Sequence, residues 1–220
     1  MNIAVLIPAY NAADSLSELL QRTLTIVSRN SVFVVNDGSL DSTRSIAEQS
    51  GVNVISHDIN RGKGAALQTG FEKILSAGFD AVLTIDADLQ HEPEEIPKFI
   101  VLHEVAHYEV IIGSRLHNKK GMPFHRILSN TMTTALVKMR TGVSISDSQS
   151  GFRFMTRKVL ESVTLEAQGF EAETEFLIKA ASYGFTFGSI PIKTIYAGEK
   201  SNMTHLHTTI NFIKVLLKQY

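Results

Sequence analysis

The amino-acid sequence predicts an α/β protein: a mostly parallel sheet flanked by helices, with a less regular extension in its second half. Three observations predict it. Short β-branched runs alternate with helical patterns, each helical pattern is framed by start and stop residues, and a polar cluster follows each run. Strand-like runs cover residues 3–7, 32–35, 52–56, 81–85 and 110–112, nearly unbroken in apolar character, as strands covered on both faces are. Ser15 and Glu18 have capping-box spacing, Asp41 stands to cap residues 42–49, and Gly51 and Gly78 sit where glycines close helices. After Gly113 come a basic loop (114–126), a helical run (127–140), a polar loop (141–150), a second helical run (170–183), a late strand (185–192) and an amphipathic end (208–220). No repeat or linker divides the 220 residues, so one domain is expected.

Charge and composition exclude several classes. With 21 basic and 22 acidic side chains the net charge is -1, which is not that of a nucleic-acid-coating protein. There is no cysteine, so disulfides, thiolate nucleophiles and sulfur-ligated metals are out. The N-terminal run lacks a basic lead, is only a strand long and ends at Pro8, unlike a signal peptide. No stretch approaches the roughly 18 apolar residues needed to span a bilayer. A soluble or peripheral cytoplasmic protein is expected.

In an open parallel sheet, ligands bind beyond the carboxyl ends of the strands. The clusters there are Pro8-Ala9-Tyr10-Asn11, Asn36-Asp37-Gly38-Ser39, His57-Asp58 followed by Asn60-Arg61-Gly62-Lys63-Gly64, and Asp86-Ala87-Asp88-Leu89-Gln90. If the backbone stays extended past Ile85, the side chains of Asp86, Asp88 and Gln90 share a face. Three aligned oxygen donors suit Mg²⁺ or Mn²⁺, which keeps positions open for phosphate. Alone, an Asp-x-Asp reads as turn carboxylates; the neighbouring loops favour a nucleotide pocket. In it Asp37 accepts from base or ribose, and the glycine-flanked start of the helix at Lys63 offers backbone N–H groups to phosphate. An EF-hand loop fails at His91, a dinucleotide fingerprint at Leu67, and no P-loop or nucleophile-elbow motif occurs.

These motifs, with Gly113-Ser114-Arg115 and Ser148-Gln149-Ser150-Gly151-Phe152-Arg153, resemble a family 2 glycosyltransferase of the GT-A fold, nearest its polyprenyl-phosphate, dolichol-phosphate mannosyltransferase-like branch. The resemblance covers nearly the whole chain. It implies inversion at the anomeric carbon, with Pro8, Ala9, Tyr10 and Asp37 on the nucleotide base and ribose, Asp86 on the nucleotide, and Asp88 with Gln90 on the metal. Residues 1–113 then form the nucleotide-sugar half and 114–220 the acceptor half.

A phosphate acceptor needs cations and no strong base. Arg115, Arg126 and Arg153 supply them, Arg115 foremost, with Ser150 in the same loop as Arg153. A hydroxyl acceptor needs a carboxylate base, for which Asp147, Glu171 and Glu173 are the candidates. Glu173 and Glu175 also suit the first turn of a helix. A third reading is a nucleotide-sugar-binding module without turnover. One departure concerns Tyr196-Ala197-Gly198-Glu199-Lys200-Ser201-Asn202, which lacks the Arg that relatives of the mannosyltransferase type usually carry. Lys200 replaces it as a point charge, leaving the donor an unspecified UDP- or GDP-sugar.

His103-Glu104-Val105-Ala106-His107 formally matches a zinc-protease helix, but its apolar neighbours turn the histidines outward and no third ligand is evident. His205 and His207 stand near the expected active-site mouth. Residues 208–220 suit either packing on the domain or an interfacial helix that meets a lipid-linked acceptor at a membrane surface.

Overall fold

The computed structural model describes residues 1–117, 122–195 and 205–220. A seven-stranded sheet runs through it: β1 (Ile3–Ala9), β2 (Val32–Asp37), β3 (Asn53–His57), β4 (Ala81–Thr84), β5 (Val110–Ser114), β6 (Arg153–Thr156) and β7 (Phe187–Pro191), in the order β3-β2-β1-β4-β6-β5-β7. All neighbours are parallel except β6, which runs antiparallel to both β4 and β5. The helices are α1 (Ala13–Leu24), α2 (Thr43–Gln49), α3 (Lys63–Ser76), α4 (Ile96–Ala106), α5 (Phe124–Thr141), α6 (Arg157–Ser162), α7 (Ala172–Ser182) and α8 (His205–Leu217). None of the described helices is long and apolar enough to cross a membrane.

The period-two alternation of the strands sends side chains to two cores. In β1, Ala4 and Leu6 join Val35 and Val82 beneath α3 and α7, whereas Val5, Ile7 and Ala9 join Val34 and Leu83 beneath α1 and α4. Gly51 and Gly78 follow helix ends with φ of 69° and 80°, the left-handed conformation glycine adopts at least cost.

Three local expectations are corrected. α1 begins at Ala13, so Ser15 lies inside it and donates its hydroxyl to Ala87 O at 2.6 Å rather than capping. Asp41 reaches Thr43 N at 2.9 Å but also Ala13 N at 3.0 Å, so it ties two helix starts together. β6 and α6 fill a stretch to which the sequence pattern assigns no element; a four-residue strand opening on arginine carries no hydrophobic alternation to betray it.

Candidate active site

The loops after β1, β2 and β3 are fastened to one another. Asn11, in a left-handed conformation, donates its backbone N–H to Ser39 Oγ at 3.0 Å and accepts Leu40 N–H on Oδ1 at 2.8 Å. Asp37, at the end of β2 and 3 % exposed, accepts the Nδ1–H of His57 at 2.6 Å and Arg61 N–H at 2.9 Å on Oδ1, and Gly62 N–H at 2.8 Å on Oδ2. His57 Nε2 meets Thr69 Oγ1 at 3.0 Å. The expectation that Asp37 accepts from base or ribose is narrowed: three of about four lone-pair directions already shape the loop leading into α3, which leaves one for a nucleotide. Pro8, Ala9 and Tyr10 lie at the end of β1, with only Tyr10 well exposed, and Gly38 and Ser39 complete the wall.

The N-terminus of α3 is corrected too. Gly64 N–H donates to Gln168 O at 2.7 Å, and a Cβ on Gly62 or Gly64 would strike the carbonyl of Gln168 or Ala167. Gly62 and Gly64 are thus small to admit the 167–169 segment, which closes the helix end that sequence reasoning offered to phosphate.

Lys63, between these glycines, points into a charge cluster. Its Nζ is 2.6 Å from Asp86 Oδ1 and 2.6 Å from Glu173 Oε1. Burial works to lower the ammonium's pKa, but the two carboxylates more than reverse this and keep it charged. Burial pushes Asp86 up, and Lys63 foremost pulls its carboxyl below the usual range. Arg153 lies on β6, nearly fully buried; it donates to Glu173 O and Ser148 O at 2.9 Å each and stands 4.0 Å from Glu173 Oε2. These four side chains and Gly151 line a cavity of about 20 Å³, room for roughly one water. Arg153 is therefore a buried strut at the floor of the site, not a residue of a wrapping loop. Ser150 is likewise fully buried beneath that loop.

The run after β4 does not stay extended. β4 ends at Thr84 and Leu89 turns left-handed at φ 58°, so Asp86 faces the Lys63 cluster while Asp88 lines a separate groove of about 320 Å³ with Asp14, Ser15, Glu18 and Arg22. The expected common face of Asp86, Asp88 and Gln90 is thus absent. Asp88 Oδ1 accepts Gln90 N–H at 3.0 Å. Among the described residues no group of three or more acidic, His or Cys side chains could hold a metal. Asp88 and Gln90 still present hard oxygen donors on one tight turn. That set fits an ion which takes its remaining ligands from phosphate and water, the usual way Mg²⁺ is held.

Arg115, just after β5, grips Asp147 in a fork: Nε–Oδ2 2.8 Å and Nη2–Oδ1 3.0 Å. Asp147 is fully buried; burial raises its pKa, and Arg115 with backbone N–H donors outweighs that to hold it below the carboxylate norm. As a base it is weak and occupied. Glu171 accepts from Gly169 N and Asn211 at 3.4 Å each, and Glu175 holds the N–H groups of Glu166 and Ala167. Arg126 lies on the first turn of α5, half-buried. Lys200 and the side chains of His205 and His207 lie outside the described residues. His103 donates its Nδ1–H to Tyr108 O at 2.8 Å and packs on Phe154, so the zinc-helix match has a packing role.

Three residues to which the sequence gives no role of their own shape the site. His57 carries no motif signal beyond following a strand. Gly151 is required because a Cβ would lie 2.5 Å from Asp86 Oδ2, a contact between residues 65 positions apart. His91, which the sequence shows as the residue that fails the EF-hand pattern, is buried against Phe152; its Nδ1 has no partner among the described residues, and burial with help from Arg115 lowers its pKa to about 4, leaving it neutral at pH 7.

Comparison with known proteins gives the chain its relatives. A family model described as Glycosyl transferase family 2 matches residues 4–164. The chain is 33 % identical to an uncharacterised protein of Methanocaldococcus jannaschii, over 98 % of this chain and 90 % of that protein. It is 32 % identical to the UDP-N-acetylglucosamine–dolichyl-phosphate N-acetylglucosaminyltransferase of Methanococcus voltae, over 88 % and 86 % respectively. It is 28 % identical to the polyprenol monophosphomannose synthase of Mycolicibacterium smegmatis, over 86 % and 75 %. Glucosyl-3-phosphoglycerate synthase of Mycobacterium tuberculosis, solved with Mn²⁺, uridine diphosphate and glucosyl-3-phosphoglycerate, aligns with a TM-score of 0.76 at 20 % identity, over 98 % of this chain and 78 % of that one. The shared fold is GT-A.

Proposed function

The chain belongs to glycosyl transferase family 2, and on that premise we propose that it moves a sugar from a UDP- or GDP-linked donor to a polyprenyl phosphate at the cytoplasmic membrane face, with inversion. The names of the Methanococcus and Mycolicibacterium relatives support the acceptor class. The observation that carries it is the state of the carboxylates: Asp147 is forked by Arg115, Glu173 is paired with Lys63, and Glu171 is spent on Gly169 and Asn211. A hydroxyl acceptor needs one of them as a base. A phosphate acceptor brings its own anionic oxygen.

In this reading residues 1–113 hold the donor and 114–220 the acceptor, in one catalytic domain. Pro8, Ala9, Tyr10, Asn11, Gly38 and Ser39 wall the base and ribose, with Asp37 fixing the loop behind them, and Asp86 faces the nucleotide. Lys63, with Gly62 beside it, and Lys200 neutralise donor phosphates. Arg115 and Arg126 draw the acceptor phosphate, while Arg153 and Ser150 support their loop. Asp88 and Gln90 would hold Mg²⁺ or Mn²⁺, which supplies positive charge to the departing diphosphate. An acceptor phosphate oxygen forms the new bond to the anomeric carbon from the face opposite the diphosphate. The old carbon–oxygen bond breaks, and its electron pair leaves with the nucleoside diphosphate; no proton need move.

A panel of UDP- and GDP-sugars with a short-chain polyprenyl phosphate and either metal tests this. Expected is metal-dependent sugar transfer to the lipid phosphate. Transfer only to soluble hydroxyl acceptors would select the second reading, in which Glu173 is the base; it is favoured by the place of Glu173 beside Asp86 in the same cavity. Nucleotide binding with no turnover of any donor would reduce the protein to a binding module.

A further inference from the structure

Helices α5 and α8 carry apolar side chains on the wrong side. At 100° per residue, Thr134 and Val137 put one face of α5 into the domain, where both are buried. On the opposite stripe stand Phe124 (79 % exposed), Leu128, Met132 and Met139 (74 %). α8 repeats this: Phe212, Val215 and Leu216 pack inward, while Ile210, Ile213 and Leu217 (75 %) face out. A surface helix ordinarily turns its polar side to water. The two helices touch, and Arg140 of α5 fastens their ends by donating to Leu216 O and Lys218 O at 3.2 Å each. The C-terminal ends of the two helices, which carry Met139 and Leu217, are therefore side by side.

The charges carried by the two helices are of one sign. Neither Phe124–Thr141 nor His205–Leu217 contains an acidic residue, in a chain that has 22. Lys138, Arg140 and Lys214 flank the stripes without ion pairs to described residues, whereas Lys218 is paired with Glu166 at 2.6 Å. Apolar side chains rimmed by lysine and arginine, with no carboxylate among them, match an anionic bilayer surface.

We propose that the outer faces of α5 and α8 form a docking surface for anionic lipid headgroups and their upper acyl chains. This rests on the lipid-acceptor reading above, since such an acceptor is presented at that surface, and adds the face by which the protein meets it. The test is flotation of the full chain with phosphatidylcholine vesicles, with and without about 30 % phosphatidylglycerol. Expected is binding to the anionic vesicles, weakened by salt, and reduced about tenfold or more in a Phe124→Ser, Leu128→Ser, Met139→Ser, Leu217→Ser variant. A second variant, Lys138→Gln, Lys214→Gln, which leaves Arg140 on its two carbonyls, loses the preference for anionic lipid. Circular dichroism melts of both variants show whether they fold; these side chains face water, so the melts should match wild type. Absence of wild-type binding, or equal binding by folded variants, overturns the proposal. So does a stable wild-type dimer in sedimentation that the serine variant splits, because the face is then a contact between copies. Transfer to a water-soluble short-chain polyprenyl phosphate, measured without vesicles, reports on the catalytic reading alone. Its failure with vesicle binding intact sinks that reading and not the docking face.

Discussion

The loops of the first half and the charge cluster facing the second half satisfy their polar groups in opposite ways. Asp37 binds three N–H donors of its own chain, fixed by β2, β3 and the entry to α3. Lys63, Asp86, Glu173, Arg115 and Asp147 instead pair charge with charge, between elements from both halves. Hydrogen bonds to a buried backbone are costly to leave unmade. An ion pair can change partners when a phosphate arrives. On the proposed function, the difference makes the donor wall preset and the reaction centre a set of provisional pairs that anionic substrates would exchange.

The largest effect falls on neither set but on the turn between them. Asp88→Ala should lower transfer by about 10²–10³-fold, the scale of removing one preorganised electrostatic group, with an unchanged thermal melt. A variant that keeps wild-type turnover with either metal would take Asp88 out of the centre. Next comes the preset wall: Asp37→Ala should lower unfolding free energy by at least about 3 kcal/mol, since His57, Arg61 N and Gly62 N all lose a carboxylate partner. Urea titration measures it. A loss below about 1 kcal/mol would break the contrast, because the wall would then not depend on Asp37.

What the sequence made legible was the set of strands and the convergence of their polar ends, because buried parallel strands are written as local apolar runs. What it hid depends on partners distant in sequence. The freedom of Gly62 and Gly64 is visible locally, but the carbonyls of Ala167 and Gln168 that need it are not, so the glycines looked like a phosphate cradle. Strand periodicity placed Asp86, Asp88 and Gln90 on one face; the left-handed Leu89 breaks the period, and nothing in a non-glycine residue announces that conformation. Arg153 read as a loop cation because a buried arginine in a central strand is rare unless its donors are met, here by two carbonyls.

The provisional pairs should matter less to stability, and unequally. Asp147→Asn should cost about 2 kcal/mol near neutral pH, since Arg115 loses a charged fork. The carboxyl of Asp147 is held below its ordinary 3.8, so its contribution is fully present above that value and is lost as pH falls through the folded one. The gap between wild type and variant should thus be constant at neutral pH and narrow below about pH 4. A gap that widened on acidification would mean that Asp147 is not the group Arg115 keeps ionised.

Glu173→Gln should have the smallest effect on folding, within about 1 kcal/mol, because Lys63 keeps the carboxylate of Asp86 and the amide oxygen still accepts from its Nζ. Its effect on turnover separates the two acceptor chemistries. If Glu173 is only the resting partner of Lys63, the amide leaves transfer to polyprenyl phosphate within a few-fold, and the change appears in donor KM, because Lys63 is released more readily to donor phosphate. If Glu173 takes a proton from a hydroxyl, the amide cannot, and kcat falls by about 10²–10⁴-fold. A kcat loss of that size, with an unchanged melt, would turn the pair between Lys63 and Glu173 from a resting contact into the holder of a catalytic base.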